Sequence, residues 1–334
     1  LKLGEPIAVD GDSMDVPWRY NRSIMRSVLD VIKDDRLFPV IISNFGCGPD
    51  AFAMKYLEDR VKDTPYLFLE FDEHRGEAGL ITRLEAFLDE VRHFSEQDLS
   101  RSVNLGKQPQ KEFGSLKDRR IVIPYFSDHA WAYYGAFKFA NYDVRVLDEP
   151  DARSLSFGED VSSGKECHPY SILAGDLMKH LEDGSVTKGD TYFFPGTEIA
   201  CLLHEYGNAM KLLLKTRGVS EVEVLTPKAV QMLDILGMPG LIRLGRGLIA
   251  VESLSKLRCQ VRPYSSDPDL VDRLFEQAYR DLGAELGDDW TGRSLKDLLE
   301  ALEQIDRVEH RPRPLVGVAG DLDTRLNSSG NSDL

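Results

Sequence analysis

Three of the four cysteines lie where a strand or a glycine-rich loop gives way to a helical pattern. Cys47 lies in a Gly-Cys-Gly-Pro turn directly after the apolar run at 38–42, and Cys167 and Cys201 also have proline or glycine nearby. The amides of a helix N-terminus favour a thiolate, so we expect a lowered pKa for Cys47. Because thiolates bind soft metals and iron–sulfur clusters, all three cysteines are candidate ligands.

The spacing of these cysteines leaves two interpretations open, because it differs from the CxxC runs of ferredoxin-type sites. Loops that meet at the carboxyl ends of parallel strands could hold three irons of a cubane and leave the fourth iron open. Three unrelated buried thiols are the alternative.

Cys259 lies inside a helical pattern, and we expect it to be structural. His168 and His204 flank two of the cysteines, and each is either an ordinary half-buried histidine or a donor to a cluster sulfur or a leaving group.

Other motifs allow rival chemistry. Residues Gly46–Ala51 fit the G-x-G-x-x-A dinucleotide fingerprint, and Glu70 and Asp72 follow at about the 20-residue interval of that motif. A dinucleotide-binding oxidoreductase is therefore an alternative. The run 72–74 offers metal ligands in Asp, Glu and His, but acids favoured at a helix N-terminus explain it as well. Ser, Asp and His at 127–129 have the letters of a hydrolase triad, yet triad members come from separate segments, so we expect a helix cap.

Composition limits the class of protein. A chain of 334 residues with 42% hydrophobic content can bury a large core and is expected to form two domains. With 41 basic and 56 acidic residues the net charge is −15 and no basic stripe is present, which argues against nucleic acid as a partner. No apolar run reaches the ~20 residues that cross a membrane. Four cysteines are too few for a disulfide scaffold, so we expect a cytoplasmic protein.

Strand patterns alternate with helical patterns along the chain. This alternation predicts an α/β fold with two Rossmann-like or flavodoxin-like lobes, whose parallel sheets are covered by helices on both faces and whose cleft holds the cluster site. Because the chain begins with Leu1 and ends without a cap, we expect a fragment of a longer protein. The expected divisions are an α/β segment carrying Cys47 at 1–105, a linker at 106–117, a lobe carrying Cys167 and Cys201 at 118–312, and at 313–334 a truncated segment that opens with a strand at 314–320.

Several longer motifs resemble one known family. They are Asn44–Asp50, Glu70–His74, Gly79–Phe87, Ile123–His129, Ser163–Pro169 with Gly175 and Asp176, Arg262–Tyr264 and Arg313–Gly320. From about residue 37 onward the chain resembles the dehydratase-like region of acyl-CoA dehydratase activase-related proteins, which are CoA-substrate-specific enzyme activases of anaerobes. In that family an activator ATPase module is fused to a region similar to the 2-hydroxyacyl-CoA dehydratase subunits.

The resemblance implies a [4Fe-4S] cluster with Cys47, Cys167 and Cys201 at the ligand positions, and Cys259 has no counterpart in the pattern. In the dehydratases an ATP-driven activator injects one electron through the cluster into a 2-hydroxyacyl-CoA, and the 2-hydroxyl group can then leave. The resemblance therefore implies an ATP-dependent activator module of the ASKHA type, fused or separate, as a partner and an acyl-CoA as a substrate. The chain would serve as a dehydratase-like lyase component or as its electron-transfer partner.

The segment around Cys201 departs from the family pattern. The family sequence Gly-Pro-Cys-Arg-Phe-Gly-Gln-Tyr is replaced here by Ile-Ala-Cys-Leu-Leu-His-Glu-Tyr at 199–206. The arginine and glycine that follow the cysteine in the family are absent. A second hypothesis is therefore a non-catalytic docking scaffold whose cluster site has decayed.

Overall fold

A computed structural model describes residues 16–61, 64–74, 76–96, 115–197, 199, 201–219, 221–308, 313–321 and 325–331. It is rich in helix and contains parallel strands, which confirms the predicted α/β class and is consistent with a Rossmann-like fold. The chain forms two compact units. Unit 1 consists of Leu1–Glu112, Ser162–Cys167 and Glu198–Leu213, and unit 2 consists of Phe113–Val161, His168–Thr197 and Leu214–Leu334.

From β1 to β6 each strand is followed by a helix, as the sequence predicted, and in the described residues after β6 only helices follow. In order they are α1 (Arg19–Val31), β1 (Val40–Asn44), α2 (Gly48–Arg60), β2 (Leu67–Phe71), α3 (Glu77–Glu96), β3 (Ile121–Ile123), α4 (Ala130–Phe139), β4 (Val144–Val146), α5 (Ala152–Val161), α6 (His168–Glu182), β5 (Thr191–Phe193), α7 (Leu203–Thr216), β6 (Glu223–Leu225), α8 (Ala229–Val261), α9 (Pro268–Gly287), α10 (Arg293–Glu303) and α11 (Ser328–Asn331). Short 3₁₀ turns lie at Leu116–Asp118 and Arg262–Tyr264.

Unit 1 is built on the parallel pair β1 and β2, in which Val40 lies opposite Leu67. Helices α1 and α2 bury their apolar stripes on one side of this pair, around Met25 and Ile41. Helix α3 packs on the other side, where Phe87 contacts the β2 residues. Because successive strand residues point to opposite faces, the alternating buried positions of β1 and β2 determine which helix each residue meets.

The sheet of unit 1 is less covered than the sequence predicted. Val40 and Ile42 on β1 are exposed by 47% and 64%. The prediction of helices over both faces is wrong for this strand, because the described sheet of unit 1 has only two strands and α3 packs on β2.

Unit 2 contains a four-stranded parallel sheet in the order β4-β3-β5-β6. Its two faces are both covered, as expected for parallel strands. On β5, the hydroxyl of Tyr192 donates to the carbonyl of Leu173 in α6, whereas the neighbouring Phe193 packs its ring on Phe137 of α4 at 4.8 Å. Helices α8 and α9 complete the core on the α4 face.

Close helix crossings in unit 2 depend on glycine. At the crossing of α5 and α6, a Cβ added to Gly175 would lie 2.0 Å from the carbonyl oxygen of Ser154 and 2.3 Å from the backbone nitrogen of Gly158. Backbone atoms cannot move aside as a flexible side chain can, so only glycine fits at this position.

Helix α8 has 33 residues and is broken at Gly237, where φ is 66° and ψ is 170°. Pro239 follows this break, and the missing N–H of proline agrees with an interrupted hydrogen-bond ladder. Among the described residues, no helix, α8 included, combines the length and apolar character needed to cross a membrane.

One sequence prediction differs from the structure, one helix has no predicted counterpart, and one predicted segment falls mostly outside the described residues. Residues 313–321 form no strand, whereas the sequence predicts a strand at 314–320. Leu315 is fully exposed, and no strand among the described residues pairs with this segment. Helix α5 was not predicted at all. The predicted linker at 106–117 lies outside the described residues up to residue 114.

The α5–α6 crossing leads to a stability prediction. We expect Gly175→Ala to lower the free energy of unfolding by about 1–3 kcal/mol, because the new methyl group overpacks a backbone contact. Gly245→Ala is the matched control, since a Cβ at this α8 position meets no atom within 4 Å. The control should raise stability by about 0.5–1 kcal/mol through helix propensity. Urea unfolding followed by circular dichroism measures the stability of both variants. A Gly175→Ala variant as stable as the wild type would contradict the close backbone contact between α5 and α6 at this position.

Candidate iron–sulfur site

Cys47, Cys167 and Cys201 all belong to unit 1, and all three are free thiols. The sequence predicts Cys167 and Cys201 in a separate second lobe and the site in the cleft between the lobes. The structure instead groups the short segments Ser162–Cys167 and Glu198–Leu213 with the first 112 residues. The physical reason is that both segments have charged and aromatic side chains whose partners lie on α2 and β2.

Helix α2 provides most of these partners from a single face. Phe52 lies three residues before Lys55 and four before Tyr56, so these side chains lie along one side of the helix, and Gly48 lies on the same side one turn earlier. Cys47 is the N-cap residue of the same helix. The first candidate ligand and most of the contacts that hold the other two segments therefore belong to one rigid element.

Two ion pairs attach the Cys167 segment to this element and to β2. The ammonium of Lys55 lies 2.6 Å from a carboxylate oxygen of Glu166, whose side chain is fully buried. The ammonium of Lys165 donates to Glu70 on β2 at 2.6 Å and lies over the ring of Phe68. Glu166 directly precedes Cys167 and Lys165 precedes it by two residues, so both ion pairs restrain the segment that carries this cysteine.

The Cys201 segment packs on α2 through the first turns of α7. A Cβ added to Gly48 would lie 2.7 Å from Cδ1 of Leu202, so glycine makes room for this leucine. The ring of Tyr206 stacks on Phe52 with centroids 6.0 Å apart. The hydroxyl of Tyr56 donates to the buried carboxylate of Glu205 at 2.6 Å.

Asp50 anchors the turn that carries Cys47 to α1 and β1. Its carboxylate accepts a hydrogen bond from the amide of Asn21 in α1 at 2.6 Å and another from the hydroxyl of Ser43 in β1. Both donors are buried. These bonds orient Asp50 within the first turn of α2 and so determine where Cys47 lies.

Burial raises the pKa of the Cys47 thiol, which corrects the expectation of a lowered value. Loss of solvation is the largest cause, and the negative charge of Asp50 adds to it. The backbone N–H of Asp50 and the hydroxyl of Ser43 act in the opposite direction but are outweighed. The helix N-terminus is therefore present, yet it does not overcome the partial burial and the neighbouring carboxylate.

Cys167 and Cys201 differ in exposure. Cys167 is half-buried, and its sulfur lies 2.6 Å from the hydroxyl oxygen of Tyr206. Cys201 is exposed, and its carbonyl accepts a hydrogen bond from the backbone N–H of His204 at 3.0 Å.

The two candidate histidines differ in position. His204 is half-buried in the first turn of α7, whereas His168 is the exposed first residue of α6 in unit 2. Their roles as hydrogen-bond or proton donors stay predictions. Cys259 lies within α8, as the helical pattern predicted, and is exposed.

Among the residues that the structure describes, no three histidine, cysteine, aspartate or glutamate side chains surround a point that could hold a single metal ion. A cubane imposes a different requirement, because each cysteine sulfur binds its own iron and the sulfurs do not share an ion. The donors in unit 1 are thiols from three segments of one compact unit, and thiolates are the usual ligands of iron–sulfur clusters. The donor chemistry therefore fits a cluster.

The dinucleotide fingerprint has the strand–turn–helix context that it requires, since Gly46–Ala51 joins β1 to α2 and Gly46 has a φ of 72°. In a dinucleotide site the second glycine lets the pyrophosphate approach the backbone. Here Leu202 packs against Gly48, and Glu70, a candidate ribose ligand, is engaged by Lys165. Both observations favour a packing role for this motif.

The remaining two motifs form local and long-range side-chain contacts. Asp72 accepts a hydrogen bond from the backbone N–H of His74 at 3.0 Å, which forms an Asx turn before α3. In unit 2, Ser127 lies 3.1 Å from His129, whose other ring nitrogen lies 3.0 Å from Glu252. Sequence reasoning missed Glu252, because it is distant along the chain. Ser127 is only 4% exposed. The expected helix cap is wrong, because His129 is the N-cap residue of α4 and no side-chain hydrogen bond caps this helix.

Comparisons with known proteins identified no relative of this chain. No family model, no curated protein and no solved structure gives a significant match to this chain. The resemblance to the dehydratase-related family therefore stays a prediction from the motifs.

The Lys55–Glu166 pair predicts a pH effect on stability. Burial raises the pKa of Glu166, but the hydrogen bond and charge of Lys55 and the bonds from Ser163 bring it below the usual value. Since the folded pKa is the lower one, the stabilisation is complete above the unfolded pKa of about 4.3 and is lost as the pH falls through the folded pKa. Glu166→Gln should therefore lower the free energy of unfolding by about 1.5–3 kcal/mol at neutral pH. In acid, the free energies of unfolding of the variant and the wild type should become more similar.

Urea unfolding at several pH values measures this effect. Glu182→Gln is a suitable control, because Glu182 pairs with Arg153 on the surface, where such pairs contribute little. Equal stability of Glu166→Gln and wild type at neutral pH would show that this pair does not hold the segment.

Proposed function

We propose that unit 1 binds an iron–sulfur cluster of the [4Fe-4S] type through Cys47, Cys167 and Cys201. The protein would then act as the electron-accepting component of ATP-activated one-electron chemistry on an acyl-CoA, similar to the 2-hydroxyacyl-CoA dehydratases. One observation carries the proposal: three cysteines that are far apart in sequence belong to one compact unit, and α2 contacts the segments of all three.

The residues of unit 1 have distinct roles in this proposal. Three thiolates leave one iron of a cubane without a protein ligand. When bound, such a cluster supplies one-electron transfer and an open iron that polarises a substrate oxygen. The exposure of Cys201 favours substrate approach from the side of the α7 start. His204, in the same turn, is the proposed donor of a proton to the departing hydroxyl.

The partner and the substrate follow from the family resemblance. Electron transfer of this kind needs a source of strongly reducing electrons, and an ATP-dependent activator module, fused or separate, is the proposed source. The acyl-CoA thioester is the proposed electron acceptor. Gly48 and Leu202 favour this function over dinucleotide binding, because the leucine lies where the pyrophosphate would approach.

Anaerobic reconstitution with iron and sulfide tests the proposal. We expect the wild type to bind about four irons per chain, to absorb visible light and to give an EPR signal after one-electron reduction. Cys47→Ala, Cys167→Ala and Cys201→Ala should each lose iron and signal. Cys259→Ala is the control and should keep the cluster, because Cys259 lies on α8 in unit 2.

The outcomes separate the competing functions. A wild type that binds no iron, although circular dichroism shows it folded, would reject the cluster and favour the docking scaffold. Iron binding that is indifferent to Cys167→Ala would also reject the proposed ligand set. Saturable NAD(P) binding that is lost in Gly48→Val would support the dinucleotide alternative instead.

A further inference from the structure

The hydroxyl of Tyr206 forms a hydrogen bond with the sulfur of Cys167, and the two atoms are 2.6 Å apart. Tyr206 is only 4% exposed, and its ring stacks on the fully buried Phe52. The tyrosine thus has little freedom to turn its hydroxyl elsewhere. Because Tyr206 is the fourth residue of α7, it links the helix that follows Cys201 directly to the sulfur of Cys167.

We infer that Tyr206 is a positioning residue that donates a hydrogen bond to the Cys167 thiolate and thereby raises the reduction potential of the cluster; this inference rests on the proposed function. In the free protein either the hydroxyl or the thiol can be the donor. A ligating thiolate has no proton, so the tyrosine O–H must then be the donor. Charge-assisted bonds of this type are stronger than neutral ones.

The direction of the effect follows from electrostatics. A hydrogen bond to a ligand sulfur withdraws electron density, and hydrogen bonds to the sulfurs are one of the factors that determine cluster potential. The reduced cluster carries one more negative charge than the oxidised cluster, so the bond stabilises the reduced form more. Removing the hydroxyl should therefore make the potential more negative.

Tyr206→Phe tests this role, because phenylalanine keeps the ring that stacks on Phe52 and removes only the hydroxyl. In redox titrations of the reconstituted protein, we expect the ratio of reduced to oxidised cluster at a fixed potential to fall about tenfold, which is a shift of about 59 mV for one electron. Tyr66→Phe is the matched control in the same unit. The hydroxyl of Tyr66 faces Glu58 at 3.5 Å rather than a cysteine, so its removal should leave the potential unchanged.

A second measurement distinguishes a hydrogen bond from a general structural effect. After exchange into D₂O, pulsed EPR of the reduced wild type should detect an exchangeable deuteron coupled to the cluster, and this coupling should be absent from Tyr206→Phe. A cluster that assembles in both proteins with the same potential and the same deuteron coupling would overturn the role of Tyr206 alone. Absence of iron in a folded wild type would overturn the proposed function and this inference together.

Discussion

One side of helix α2 carries the contacts on which the candidate site depends. Its N-cap is Cys47, Lys55 pairs with the segment that ends at Cys167, and Phe52 stacks on the helix that follows Cys201. Residues three and four positions apart on a helix keep a fixed spacing, so one rigid element positions three segments that the sequence separates widely. The geometry of the site is thus largely the geometry of a single helix face.

Buried polar groups make this arrangement specific rather than merely compact. The carboxylates of Glu166 and Glu205 are removed from solvent, and each meets a donor on α2. Leaving such a group without a partner costs more than a satisfied hydrogen bond contributes. Any placement of either segment that separates these pairs is therefore penalised, whereas apolar contacts alone would tolerate a shift along the helix. The hydrogen bonds that Asp50 accepts from the buried Asn21 and Ser43 restrain the Cys47 turn in the same way.

The local features of the fold could be predicted from the sequence. The Gly-Cys-Gly-Pro turn and the β-branched run before it depend on neighbouring residues, so the strand–helix junction at Cys47 was correctly located. Helix α5 was missed, although Asp151 marks its start by accepting hydrogen bonds from the backbone N–H groups of Arg153 and Ser154. The apolar run 314–320 predicted a strand that is not formed, since apolar pattern alone does not provide a pairing partner.

The long-range features of the site were not predictable in the same way. Nothing in periodicity indicates that Lys165 meets Glu70 or that Tyr206 meets Cys167, because these pairs depend on how distant segments pack. The pKa of Cys47 was predicted in the wrong direction for a related reason. The helix N-terminus is visible in the sequence, but the burial that dominates the shift is a property of the folded chain.

The discontinuous make-up of unit 1 has a consequence for biosynthesis. Its stretches end at Glu112, Cys167 and Leu213, so α2 leaves the ribosome well before the residues that complete its packing. At translation rates of about 5–20 residues per second, roughly eight to thirty seconds separate Phe52 from Tyr206. Throughout that interval the nascent chain must keep an incomplete surface soluble and then close long loops. Maturation of a cofactor in this unit would therefore be a late event, beginning only after the third cysteine has been translated.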